Sequence, residues 1–194
     1  ADSGAMGGSG SEEFMVISPI GEDTLAINLE SGYAGNVEKT PVIWNYLKER
    51  QNHSGFERCS TPNIKSIEDV AKYFNVETKN VIKSVLLKAD ERLNILVFIR
   101  GDREVNLVKV NNHFATSEIR PLSNIECEKI GLIPGFIGPL GLDEEVSKGV
   151  KIIWDKSINP FEAYIIGANE IDEHYRNYCI SEFTYEVNQK DFCM

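Results

Sequence analysis

Nowhere in the 194 residues does an apolar run approach the ~18 consecutive residues that a membrane-spanning helix requires. The chain opens without the basic, apolar and small-residue order of a secretory leader, so the expectation is a soluble, cytoplasmic protein with no membrane partner. Cysteine is scarce. Cys59, Cys127, Cys179 and Cys193 include no CxxC pair, which fits neither a disulfide scaffold nor a zinc cage. His53, His113 and His174 lack HxxxH or HExxH spacing, so no metal is expected. There is no GxSxG elbow and no Walker A motif, and Gly8-Ser9-Gly10 lacks the third glycine and preceding strand of a dinucleotide loop. Spacing does not exclude a Ser/His/Asp or Cys/His triad, whose members meet only in the fold. Positive charge is also in short supply: 20 Lys and Arg face 30 Asp and Glu, a formal charge of -10. Nucleic-acid binders draw much of their affinity from basic groups neutralising phosphates, so a free-standing binder is disfavoured and DNA is not expected as a partner.

What is present is ordinary for one domain: 42% hydrophobic and 26% charged residues, enough to bury a core. The charge is uneven. Residues 1–55 carry 3 basic and 8 acidic groups, 56–117 carry 10 and 8, and 118–194 carry 7 and 14. A polyanion would approach the middle third, although differently solvated faces produce the same split.

Residues 1–11 are Gly- and Ser-rich and read on composition as a flexible leader. The apolar runs 14–18 and 24–29, separated by Pro19-Ile20-Gly21-Glu22-Asp23, predict a hairpin. A helix is predicted after Pro41, because Ile43, Tyr46 and Leu47 fall at i, i+3 and i+4. The polar break at 51–55 marks a domain boundary. Ser66 and Asp69 form a near capping box ahead of the apolar face Ile67, Val70, Ala71 and Phe74. Thr78 caps a short helix, and strands are predicted at 84–87 and 93–99, the second too continuously apolar to have a wet face and therefore central. Arg100-Gly101-Asp102 is a turn, residues 104–114 have mixed helical spacing, and Ser123 with Glu126 caps another short helix. Further strands are predicted at 150–154 and 163–166. Without strict alternation of helix and strand, the fold class is α/β of the α+β kind, a mixed sheet flanked by helices.

Two features carry chemistry. Gly131-Leu132-Ile133-Pro134-Gly135-Phe136-Ile137-Gly138-Pro139-Leu140-Gly141 is an apolar loop whose glycines let backbone N–H groups face a ligand and whose prolines stiffen them. On its residues alone, it also fits an ordinary tight turn buried by Phe136 and Ile137. Lys83 lies among Val81, Ile82, Val85, Leu86 and Leu87, where a lysine snorkelling to solvent is the plain alternative to a ligand group.

Taken together, Thr61-Pro62-Asn63, Lys83-Ser84-Val85-Leu86-Leu87, Arg100-Gly101-Asp102 with Glu104 and Asn106, Gly135-Phe136-Ile137-Gly138-Pro139, Asp155-Lys156-Ser157, Gly167-Ala168-Asn169 and His174-Tyr175 resemble the editing (insertion) domain of bacterial prolyl-tRNA synthetase, a branch of the YbaK-like aminoacyl-tRNA deacylases. The resemblance runs over roughly 56–181. Ser84 stands where Thr is usual, and Cys179 lies where an Asn-Trp pair is common. Residues 1–14, Gly21-Glu22-Asp23-Thr24 and Tyr33-Ala34-Gly35-Asn36-Val37-Glu38 resemble the synthetase core just before the insertion, which replaces the flexible-leader reading. The implied organisation is a flanking fragment over 1–55, the editing domain over 56–181, and a tail over 182–194 leading back to the core.

The implied activity is hydrolysis of alanine misattached to proline tRNA. Missing methylenes discriminate by only ~1–3 kcal/mol each, so a second, smaller pocket must exclude the cognate by bulk. The resemblance assigns catalysis to Lys83, Gly135 and Gly138: the loop donates backbone N–H groups to the ester, and the lysine binds the terminal phosphate. It assigns substrate contacts to Thr61, Phe136, Ile137, Pro139, Asp155 and His174, the last limiting pocket size. The nucleophile it implies is a water assisted by the terminal ribose hydroxyl. The partner is the acceptor end of tRNA(Pro). Editing needs no cofactor, since ATP and magnesium serve the synthetic domain, and the parent synthetase is expected to be a homodimer. Cysteinyl-tRNA is an alternative substrate, and a non-catalytic tRNA-end binding module is an alternative function.

Overall fold

The computed structural model describes residues 14–46, 55–142, 149–183 and 189–194. Its organising feature is β5 (Leu93–Arg100), in which Ile95, Leu96, Val97, Phe98 and Ile99 are all fully buried. Successive side chains of a strand point to opposite faces. Leu96 and Phe98 accordingly join one core with Ile137, Ile158 and Ile166, while Ile95, Val97 and Ile99 join another with Val110 and Phe192. The apolar run at 93–99 is thus the middle strand of a sheet covered on both faces.

That five-stranded sheet has the order β10-β7-β5-β4-β6. β4 (Ile82–Ala89) lies antiparallel to β5 and to β6 (Ile119–Pro121). β7 (Val150–Asp155) runs parallel to β5 and to β10 (Gln189–Lys190). A second, three-stranded antiparallel sheet has β9 (Glu173–Tyr178) between β3 (Glu57–Ser60) and β8 (Tyr164–Gly167). The bridge between Val81 and Ile165 joins the two sheets, and α1 (Ile67–Phe74) packs Val70 and Ala71 over it. Ser66 caps α1 by accepting from the Asp69 N–H, and its hydroxyl donates to the Asp69 carboxylate at 2.7 Å. A 3-10 turn follows at Thr78–Asn80, then α2 (Leu107–Phe114) and α3 (Asn124–Lys129), the latter with the full Ser123–Glu126 capping box; α4 (Ile180–Phe183) closes the set. The mixed α/β class is as the sequence predicts. No helix among the described residues is long and apolar enough to cross a membrane.

Two expectations are corrected. The hairpin joins β1 (Leu25–Asn28) to β2 (Tyr33–Asn36), not 14–18 to 24–29. Its turn is organised by Asn28, whose side-chain oxygen accepts from the N–H groups of Glu30 and Ser31, and by Gly32 at φ +70°. Residues 41–46 are not helical. Their contacts with the rest of the fold recur every second residue: the Val42 N–H donates to Asp191, Trp44 lies under the guanidinium of Arg100, and the Tyr46 hydroxyl donates to the Lys156 carbonyl at 2.6 Å. Leu47 and the boundary at 51–54 lie outside the described residues. Residues 189–194, in the segment expected to lead back to the core, pack into the fold. β10 extends the sheet, and Phe192 and Cys193 are buried in the core beside α2.

Candidate active site

Where the two sheets meet, a cleft of about 350 Å³ opens between α1, the start of β4, the glycine-proline loop and β9. Lys65, Ile67, Lys83, Gly135, Ile137 and His174 are among the residues that line it. The fold brings these together from sequence positions more than a hundred residues apart, because β9 pairs with both β3 and β8 and so carries His174 opposite Cys59 and Gly167.

His174 is 3% exposed, and burial pushes its imidazole down to about 4, so it is neutral at pH 7. Its Nδ1 lies 2.6 Å from the Thr61 hydroxyl, itself fully buried. The Phe136 ring packs 5.5 Å from the imidazole on the loop side. The result is a rigid, uncharged wall. Lys83 reaches Glu104 at 2.5 Å, with its side chain 16% exposed against 75% for the glutamate. A carboxylate so open to water holds its partner weakly. Lys65, which the sequence reading did not single out, packs its stem 3.3 Å from where a Gly135 side chain would begin and sets its ammonium 5.6 Å from the Phe136 ring centre.

The loop is neither sealed nor open. Phe136, Ile137 and Gly138 are buried while Gly135, at φ +92°, is exposed at the rim. Its donors divide unequally. The Gly138 N–H donates to the side-chain oxygen of Asn169 at 2.8 Å, so Gly138 does not supply the catalytic donor expected of it; Pro139 has no N–H to offer. The Phe136 N–H donates to the Ile133 carbonyl. Among the described residues, no protein acceptor takes the N–H of Gly135 or of Ile137. Gly138 has a different necessity: a Cβ there would stand 1.7 Å from the Gly167 carbonyl oxygen, and one on Gly167 would stand 2.3 Å from the Phe136 carbonyl group. Two backbones meet where only glycine fits.

Asp155 lies away from the cleft. Its carboxylate accepts from the N–H groups of Ser157 and Phe192, which corrects its expected role as a substrate contact to one of fastening the C-terminal segment. Asp155, Asp191 and Cys193 do place ligand atoms within 4.8 Å of one another. Asp191, however, is engaged by Lys109 and the Val42 N–H.

The sequence matches the family described as aminoacyl-tRNA editing domain over residues 61–178. The chain belongs to the aminoacyl-tRNA editing domain family. Within it, this editing domain is 49% identical over 174 residues to proline–tRNA ligase of Leptospira biflexa, covering 90% of the chain and 29% of that protein. It is 43% identical over 178 residues to the proline–tRNA ligase of Bacillus velezensis, covering 91% of the chain and 31% of the ligase. The chain therefore spans under a third of the length of these relatives. Among solved structures, a candidate trans-editing enzyme for prolyl tRNA synthetase superposes with a TM-score of 0.60 at 13% identity, over 72% of this chain and 87% of that one. A hypothetical protein superposes at 0.62 and 14% identity, over 72% and 92%. At such identities the likeness establishes the editing-domain fold alone.

Proposed function

We propose that this editing domain hydrolyses the ester of alanine wrongly attached to proline tRNA, releasing alanine and free tRNA. The observation that carries this reading is the Ile137 N–H, which has no acceptor among the described residues and belongs to a buried residue that lines the cleft with Lys83 and the neutral His174. Such a donor has its value when negative charge develops in front of it. In the proposed course, the terminal phosphate of the acceptor strand displaces Glu104 from Lys83. The ester carbonyl then faces the Ile137 and Gly135 N–H groups. A water, oriented by the terminal ribose hydroxyl, adds to the carbonyl carbon; the C–O bond to the ribose breaks, and the ribose oxygen takes the proton. His174, Thr61 and Phe136 limit the room beside the acyl group by bulk, so that prolyl ester is excluded. With its negative net charge, the domain binds tRNA weakly by itself, and added salt weakens binding further.

The test is one panel: hydrolysis of alanyl-, cysteinyl- and prolyl-tRNA(Pro) by the purified chain. Alanyl-tRNA is expected to be cleaved and prolyl-tRNA spared. Cleavage of cysteinyl- but not alanyl-tRNA would replace the substrate, and no hydrolysis at micromolar protein would make this a binding module.

A further inference from the structure

Asn169, just beyond the end of β8, sits in the left-handed region at φ +58°. From there it ties down the loop on both sides of Ile137. Its backbone N–H donates to the Phe136 carbonyl at 2.7 Å. Its side-chain oxygen accepts from the Gly138 N–H at 2.8 Å, and its Nδ2 donates to the carbonyls of Gly138 at 2.9 Å and Leu140 at 2.7 Å. The Phe136 carbonyl and the Gly138 N–H on either side of Ile137 are thereby engaged, while the Ile137 N–H, in the same peptide group as that carbonyl, has no acceptor among the described residues and lies in a residue only 5% exposed. Orphaned buried N–H groups are rare, and each costs about 1–3 kcal/mol. A loop able to rotate that N–H toward an acceptor would do so.

We infer that Asn169 is a positioning residue, holding the loop so that the Ile137 N–H stays aimed at the oxyanion formed on the ester. This rests on the deacylase reading above. When the water oxygen bonds to the acyl carbon, the carbonyl electron pair moves to oxygen and meets the Ile137 donor; collapse returns the pair and expels the ribose oxygen, which takes the proton the water gives up. Asn169 touches no reacting atom. Both faces of its amide are needed, since aspartate would accept from Gly138 but set a negative oxygen against the carbonyls of Gly138 and Leu140.

The experiment compares alanyl-tRNA deacylation by the unmodified chain, Asn169→Gly and Asn169→Asp, with thermal melts and exchange of the Gly138 amide proton. Glycine keeps the left-handed backbone accessible and removes the amide. Asn169→Gly is expected to lower kcat by ~10²-fold, the scale of losing one oxyanion donor, with KM essentially unchanged and Gly138 exchange accelerated. Asn169→Asp is expected to fall between, with Gly138 still protected. Unchanged kcat in a folded variant, or a loss confined to KM, overturns the inference. If Asn169→Gly does not fold, Asn169→Asp decides by the same criterion. No hydrolysis by the unmodified chain defeats the deacylase reading itself, an outcome separate from wild-type activity retained by the variants.

Discussion

Gly138→Ala is the sharpest test of the close approach between the loop and the end of β8. The added Cβ begins 1.7 Å from the Gly167 carbonyl oxygen, where ordinary contact starts at 3.4 Å, so the two backbones must separate by about 1.7 Å. No flexible side chain is there to yield. Overpacking of this kind costs ~1–3 kcal/mol, and the two hydrogen bonds between Gly138 and the Asn169 amide contribute ~0.5–1.5 kcal/mol each, so a destabilisation on the order of 3 kcal/mol is expected. The effect on turnover is larger in proportion, because a shift of about 1 Å in catalytic geometry lowers rates ~10²-fold. Gly141→Ala is the control: it has positive φ, +73°, and no described residue lies within 4 Å of its Cβ position, so among the described residues it bears backbone strain alone. Urea denaturation and alanyl-tRNA deacylation on both variants check this. A Gly138→Ala chain as stable and as active as Gly141→Ala would refute the packing argument.

Lys83→Ala should change stability by less than about 1 kcal/mol, since its partner Glu104 is exposed, while raising KM for alanyl-tRNA and flattening its salt dependence. Near-normal kinetics in steady-state assays would remove the lysine from the site. His174 makes stability depend on pH. Its imidazole titrates near 6.5 unfolded and about 4 folded, so the unfolded chain binds the extra proton in that window, and roughly 3 kcal/mol of stability is lost as pH falls through it. His113 shifts the same way, and depressed carboxylates add their loss at lower pH, Glu126 below 4.5 and Asp90 below 3.8, so the difference between wild type and His174→Asn isolates the term. Denaturation curves from pH 7 to pH 4 that coincide in shape for the two proteins would contradict it. Admission of prolyl-tRNA by His174→Ala, measured as new hydrolysis, is expected from the steric role. Ser123→Ala should cost ~1 kcal/mol through the α3 capping box and leave deacylation untouched, which a thermal melt and the same assay report.

Much of the scaffold was legible along the chain. The caps at Ser66 and Ser123 satisfy donors three residues ahead, and the apolar run of β5 demands burial on both faces wherever it is placed. The hairpin and the 41–46 segment misled for a related reason. Apolar residues at helical spacing fold as a helix only when one face has a partner, and here Trp44 meets the guanidinium groups of Arg100 and Arg103 in extended backbone instead. In the cleft, resemblance pointed to Lys83, Gly135, Ile137 and His174, which do converge. It also pointed to Asp155, which does not, passed over Lys65, and included Asn169 without giving it a role. A trace of Asn169 was available as the residue after Gly167-Ala168, at a strand end where asparagine tolerates positive φ.

Sequence alone settled what depends on near neighbours: two short capped helices, a central strand, and a loop whose glycines and prolines restrict its backbone. Tertiary structure decided what depends on groups far apart in the chain. Thr61 meets His174 across 113 positions and Gly138 meets Asn169 across 31, and neither pairing has a local signature. Which N–H of the loop is taken and which has no acceptor among the described residues follows from those distant partners, since a hydrogen-bond donor becomes available only after the fold has decided where every competing acceptor lies.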